Sequence, residues 1–228
     1  MSAFDLLADS IDHRYGKMYQ CHRQLKDLGW LNREGDNALC GPTCVANVLL
    51  KFKRSLDLKI PDSSIKLIHK IATEILPHRD FQDGGSEETD LAEAMQKYLM
   101  PFNIDLDFSL RHQFNLKDLS QSTKDDRAVI VLVRWWKPES FSAEKIPNED
   151  YVEGHYLIVG GVEGEVVTFF DPYSSRYLVR ARVESETNDN GRKYYRLHWL
   201  DKSPSVPSES PSFITSVLEI RILADQLK

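Results

Sequence analysis

The spacing of apolar residues changes period once along this chain, and that change constrains the fold more than any other feature. Up to about residue 127 the apolar positions recur at helical intervals, and from residue 128 they alternate or run on as strands do. From Cys40, the residues Val45, Val48, Leu49 and Phe52 fall on one helical stripe, and Pro42 suits a first helical turn because its missing N–H is not needed there. Ser63 to Leu76 predicts a second helix with Ile65, Ile68, Ile71, Ala72 and Ile75 on its apolar face, stopped by Pro77. Glu87 to Leu99 predicts a third, with Leu91, Ala94, Met95 and Tyr98 in phase and Pro101 at its end. Shorter helical segments are expected over Ala3 to Ile11 and Lys17 to Leu28, the latter ended by Gly29 and followed by a polar loop from Asn32 to Leu39.

Beyond the switch, Ala128 to Trp135 is a nearly unbroken apolar run, the pattern of a central strand covered on both faces. His155 to Val162 and Glu165 to Phe170 flank Glu163-Gly164 and read as a hairpin. Tyr177, Val179, Ala181 and Val183 alternate, as do Tyr195, Leu197 and Trp199 across the polar stretch Glu184 to Gly191. Ser203 to Ser212 is a Ser/Pro-rich loop, and Leu218, Ile220 and Ile222 alternate as a closing strand, although Leu218 to Leu227 also fits a helix. Helices first and antiparallel strands second predict an α+β fold in one domain, 1–228, with a helical part over 1–127 and a sheet part over 128–228.

Composition narrows the function. Net charge is −6 with no dense Lys/Arg block, which argues against nucleic acid as a partner. Three cysteines, Cys21, Cys40 and Cys44, do not make a disulfide framework, and Cys21 beside His22 is half of a zinc module without the other half, so neither metal nor cofactor is expected. Met1 to Arg14 has no long apolar run, and no stretch approaches the length of a membrane span. A cytoplasmic location follows as the expectation, with leaderless export left open, and the oligomeric state is not readable.

Chemistry concentrates at three places. Cys40 stands at a helix start, where unpaired N–H groups and the positive end of the helix dipole favour an anion. Gly41 next to it would let a substrate backbone approach closely. Cys44, one turn deeper among Val45 and Val48, reads as a buried and inert thiol, and a Cys40–Cys44 redox pair has the wrong spacing. His155 opens the first strand of the hairpin and Asp171 follows its second, so the turn brings the two together. Parity decides whether they share a face. A two-residue turn at Glu163-Gly164 points them to opposite sides, whereas a loop of odd length or a bulge points them to the same side. A bulged or odd-length connection is therefore expected.

The stretches Leu39 to Asn47, Gly154-His155-Tyr156 and Asp171-Pro172-Tyr173 resemble the papain-like cysteine peptidases that remove double-glycine leader peptides from bacteriocins, and more closely the broad bacterial set of such peptidases found outside transporters. The resemblance implies a papain-like fold, a helical N-terminal half packed on an antiparallel sheet. It implies Cys40 as nucleophile, His155 as base and Asp171 as the residue orienting the base, acting on a peptide or protein substrate without a cofactor. Gly84-Gly85-Ser86 looks like the family's loop between the central helices. The family pattern has a glutamine about six residues before the cysteine to complete the oxyanion hole. Here Glu34 stands there, leaving Asn37 and Asn32 as the nearest amides and Gln20 and Gln24 further back. A deamidase or transglutaminase would use the same three side chains. A binding module that has lost turnover, or an adaptor displaying Trp30, Trp135 and Trp136, are the readings outside hydrolysis.

Overall fold

A computed structural model describes residues 39–55, 64–76, 85–120, 126–136, 153–173, 178–187, 191, 193–202 and 210–223. The segments Ala3 to Ile11 and Lys17 to Leu28, and with them Cys21, Trp30, Asn32, Glu34 and Asn37, lie outside the described residues.

Three helices of more than one turn are described. Helix α1 spans Cys40–Ser55. Helix α2 spans Ser64–Lys70 and continues as a π-turn over Ile71–Ile75. Helix α3 spans Glu88–Leu99, with Glu87 as its N-cap in a reciprocal capping box with Asp90. Strand β1, Leu106–Arg111, follows, then the single turn α4, Leu116–Leu119. The remaining strands are β2 Arg127–Trp135, β3 Glu153–Glu163, β4 Val166–Phe170, β5 Leu178–Thr187, β6 Lys193–Trp199 and β7 Ser212–Ile222. Among the described residues no helix is long and apolar enough to cross a membrane.

The expectation of a papain-like α+β fold, a helical N-terminal half packed on an antiparallel sheet, is corrected by the strand pairing. The molecule is mostly β, and six antiparallel strands close into a barrel in the order β7-β2-β3-β4-β5-β6, with β6 returning to β7. Closure rests on Tyr195↔Ile214, Arg196↔Phe213 and Leu197↔Ser212. Strand β7 serves two neighbours on its other side in turn. Its first residues pair with β6, and Val217 to Ile222 pair with β1. Between these halves the ladder with β2 shifts register, from Leu132↔Ser216 to Val133↔Ile214, so that Thr215 is an extra residue. A bulge bends and twists its strand. Here it marks the point where β7 leaves β1 and meets β6. The register of the closing pair is a contact between segments far apart in sequence, and hydrophobic alternation carries no signal of it.

The barrel also explains the apolar run in β2. Val129, Val131, Val133 and Trp135 join Leu157, Val159, Val167, Phe169, Val179, Ala181, Val183, Tyr195, Leu197, Ile214 and Val217 in the barrel core. The alternate residues Ala128, Ile130 and Leu132 face the helices, with Tyr156, Ile158, Phe170, Leu218, Ile220 and Ile222. Val45, Val48, Leu49 and Phe52 of α1 are fully buried in that second core. Lys51, itself buried, donates through Nζ to the Arg127 carbonyl and ties α1 to the start of β2.

Three local expectations change and one open choice is decided. Strand β1 lies inside the segment expected to be helical, and the alternation of Leu106, Phe108 and Leu110 was its signal. Strand β5 runs on through Glu184 to Thr187, residues expected in a loop, because β6 supplies a ladder for them from Glu184↔Arg196 to Thr187↔Lys193. Ser212, expected in the Ser/Pro-rich loop, is the first residue of β7. Leu218 to Ile222 are strand, not helix, since they lie between β1 and β2.

Candidate active site

Helix α1 begins where the structure needs it to. The Thr43 N–H donates to the Leu39 carbonyl at 2.9 Å, so Cys40 and Gly41 occupy the first two helical positions and Pro42 the third. The N–H groups of these first positions have no acceptor inside the helix. Proline in the third removes a donor that would otherwise be idle. Cys40 is partly buried, and its side chain lies near enough to His155 to help raise the imidazole pKa.

His155 and Asp171 come from the two strands of the hairpin. The turn is Gly164-Glu165, one position beyond the expected Glu163-Gly164, with Gly164 at φ 61° and Glu163 paired with Val166. It has two residues, yet the ladder shifts between Val159 and Gly161, so the pairing below it runs Val159↔Phe169 and Ile158↔Phe170. The expected odd residue is thus present as a bulge at Gly160, not in the turn. Without it Asp171 would continue the ladder opposite Ile158 and face away from His155. With it, His155 Nε2 donates to Asp171 Oδ1 at 2.9 Å, and both side chains are buried. The backbone N–H of Tyr173 donates to the same oxygen at 2.9 Å, so the Asp-Pro-Tyr turn holds its own carboxylate in place. The Tyr173 ring meets the imidazole edge-on at 6.3 Å.

Electrostatics follow from this geometry. Burial works against a charged His155. The charge and hydrogen bond of Asp171, and then the hydrogen bond and charge of Cys40, outweigh it and raise the imidazole pKa to about 10. With Nε2 engaged by Asp171, Nδ1 is the ring nitrogen left for Cys40. Cys44 is fully buried, and burial, followed by the charges of Cys40 and Asp171, pushes its thiol well above the usual range. Its Sγ donates to the Tyr156 carbonyl at 3.5 Å. Cys44 is therefore a neutral packed thiol.

The surroundings contain residues that the spacing of the sequence did not single out for roles. Tyr156 is buried, its phenol is kept protonated chiefly by that burial and by the charges of Glu88 and Cys40, and its hydroxyl donates to the Ser86 carbonyl at 3.1 Å. Its position next to His155 was the available signal. Gly41 has a different function from the one expected of it. A Cβ there would lie 1.9 Å from Ser86 Oγ and 2.9 Å from Leu91 Cδ2, so the space is taken by the chain's own Ser86 loop and not left for a substrate.

Cys40, His155 and Asp171 are thus brought together, while Asn37 and Asn32, the expected oxyanion amides, lie outside the described residues. Among the described residues no group of three His, Cys, Asp or Glu side chains is arranged to hold a metal ion. What the arrangement can do is move a proton between sulfur and imidazole while a buried carboxylate fixes the ring. Comparison with known proteins finds no family model that matches this chain and no curated protein that matches it.

Proposed function

We propose that this protein is a cysteine hydrolase that cleaves an amide bond of a peptide or protein, with Cys40 as nucleophile, His155 as acid and base, and Asp171 as the residue that orients and charges the imidazole. One observation carries the reading: the His155 ring is held by Asp171 at 2.9 Å and lies near enough to Cys40 for that side chain to help raise its pKa. A thiol, an imidazole and a third group that aims the imidazole are the parts of an activated nucleophile. The resemblance to double-glycine leader peptidases supports it, because the three stretches that carry the resemblance are the ones that meet here. The barrel is a different frame from the fold that resemblance implied, so the reading rests on the site.

The steps follow from the contacts. The resting pair is a Cys40 thiolate held beside the His155 imidazolium, consistent with an imidazole pKa raised to about 10. Sulfur attacks the carbonyl carbon, a C–S bond forms, and the π pair moves to oxygen. As that pair returns, the C–N bond breaks and His155 Nδ1 gives its proton to the leaving amine. The neutral His155 then removes a proton from water as the water oxygen attacks the thioester carbon; the C–S bond breaks with its pair on sulfur, the acid leaves, and the thiolate–imidazolium pair is restored. Asp171 stays ionised throughout and keeps the ring facing the sulfur.

The test is alkylation by iodoacetamide. At about pH 6, where an ordinary cysteine is almost wholly protonated, wild-type Cys40 should be alkylated selectively and faster than free cysteine. Cys40→Ala should abolish labelling, His155→Ala should reduce it sharply, and Cys44→Ala should leave it. Wild-type labelling no faster than free cysteine would overturn the hydrolase reading in favour of a module that binds without turnover. Labelling retained in Cys40→Ala and lost in Cys44→Ala would assign the nucleophile to the other thiol.

A further inference from the structure

The barrel strands are closed on one another, but β1 lies outside that closure. It pairs with β7 along one side, and among the described residues no strand pairs with its other side. An open edge of this kind is a template for a further strand.

Two contacts fix which backbone groups face outward. The Leu223 N–H donates to the Asp105 carbonyl, so the odd-numbered residues of this segment turn their backbone groups toward β7. The Leu106 N–H instead donates to Gln96 Oε1 at 3.2 Å, on the outer side. By the alternation of an antiparallel ladder, Phe108 and Leu110 also turn N–H and C=O outward. Gln96 occupies the Leu106 end, and among the described residues nothing pairs with the backbone of Phe108 or Leu110 on that side.

The side chains of β1 fall into two sets. Phe108 packs at the margin of the helix-side core, and Leu110 on the same face is exposed. The opposite face carries Asp107, then Ser109, then Arg111. Asp107 is ion-paired with Arg221 at 2.7 Å, and Arg111 with Glu219 at 3.3 Å and Asp118 at 3.4 Å. Asp107 and Arg111 nevertheless keep about half and more than a third of their side-chain surface in solvent, so each has room for another partner.

We infer that β1 is a docking edge for a second copy of this chain, paired antiparallel with Ser109 opposite Ser109 on a two-fold axis. This register sets Phe108 opposite Leu110 of the second copy at hydrogen-bonded positions, so every outward N–H and C=O of these two residues gains a partner. Asp107 then lies opposite Arg111 of the second copy, and Arg111 opposite its Asp107. These are non-hydrogen-bonded positions, where facing side chains come closest and opposite charges stabilise the pair. A two-residue shift keeps the backbone parity but loses the match. In one direction it calls on the Leu106 N–H, already held by Gln96, and in the other on His112, beyond the end of β1. Charges on an edge strand ordinarily repel other strands. Here their order, acid then base about a central serine, matches itself when reversed, so the edge selects its own copy. The inference goes beyond the hydrolase reading and does not depend on Cys40.

Sedimentation velocity over a concentration series tests it. Wild type should pass from monomer to dimer as concentration rises. Leu110→Pro removes an N–H that β7 does not use, as proline on an outward-facing edge position does, and should remain monomeric. Asp107→Arg and Arg111→Asp each set like charges opposite one another at both ends of the pairing, and each should weaken dimerisation about tenfold. Mixing these two variants should restore an affinity close to wild type, because every arginine then faces an aspartate. A wild type that stays monomeric, a Leu110→Pro chain that dimerises like wild type, or a mixture no tighter than its components would each overturn the inference. All of these outcomes leave the alkylation test of Cys40 unaffected.

Discussion

His155 Nε2 and Asp171 Oδ1 lie 2.9 Å apart in the interior although sixteen positions separate them in the chain, and a single bulged residue, Gly160, makes that contact possible. The hairpin turn sets one register and the bulge resets it by one before the strand reaches the site. A β-bulge next to a reactive group is a means of aiming a side chain, and here it aims an imidazole at a carboxylate and a sulfur.

The first prediction concerns that pair and pH. The His155 pKa is raised from 6.5 to about 10, so the folded state binds the proton more tightly than the unfolded state. The resulting stabilisation is fully present below pH 6.5 and is lost as pH climbs toward about 10. Urea midpoints should therefore fall across that window in wild type. In Asp171→Asn the charge and the acceptor that raise the pKa are weakened, and the fall should flatten. The His155 ring resonance in NMR should titrate at lower pH in the variant. An unchanged titration midpoint in Asp171→Asn would mean that Asp171 does not govern the imidazole.

A second prediction concerns Gly41. Alanine is normally the better helix residue by about 1 kcal/mol. At this position its Cβ would meet Ser86 Oγ at 1.9 Å and Leu91 Cδ2 at 2.9 Å, and crowding of this kind costs about 1–3 kcal/mol. Gly41→Ala should therefore destabilise the protein. Adding Ser86→Gly should restore part of the loss, with a coupling of about 0.5–3 kcal/mol in a double-mutant cycle measured by denaturant titration. Strict additivity of the two substitutions would show that the loop does not press on the helix there.

The third prediction distinguishes the two thiols by what each is for. Cys44 packs in the helix-side core with its sulfur on the Tyr156 carbonyl, and burial keeps it protonated. Cys44→Ala should lower stability by about 1–3 kcal/mol, as core truncations do, with no change in the alkylation rate at Cys40. Mass spectrometry of native protein should find Cys44 unmodified until denaturant exposes it. Alkylation of Cys44 in the native state at the rate of Cys40 would contradict its burial.

What could be read along the chain was local. The stripe Val45, Val48, Leu49, Phe52 and the pattern from Glu87 to Leu99 mark helices because side chains three and four apart share a face, and both helices are present. The alternation in β5, β6 and β7 marks strands by the same logic with a period of two, and the unbroken apolar run of β2 marks a strand covered on both faces. Even the requirement for an odd residue between His155 and Asp171 was legible, because parity in a ladder is arithmetic. Its location at Gly160 was not, since a bulge and a longer turn have the same effect on parity.

The amino-acid order by itself determined which segments could be helix or strand, and where a thiol, an imidazole and a carboxylate would sit on them. The tertiary structure alone decided that the strands close. The register of β6 on β7 and the bend at Thr215 are set by packing between distant segments, and no local period encodes them. It also decided the environment of each group. The charge and hydrogen bond of Asp171, helped by Cys40 and working against burial, raise the His155 pKa, and the closeness of Ser86 to Gly41 is a meeting of a loop with a helix that only folding brings together.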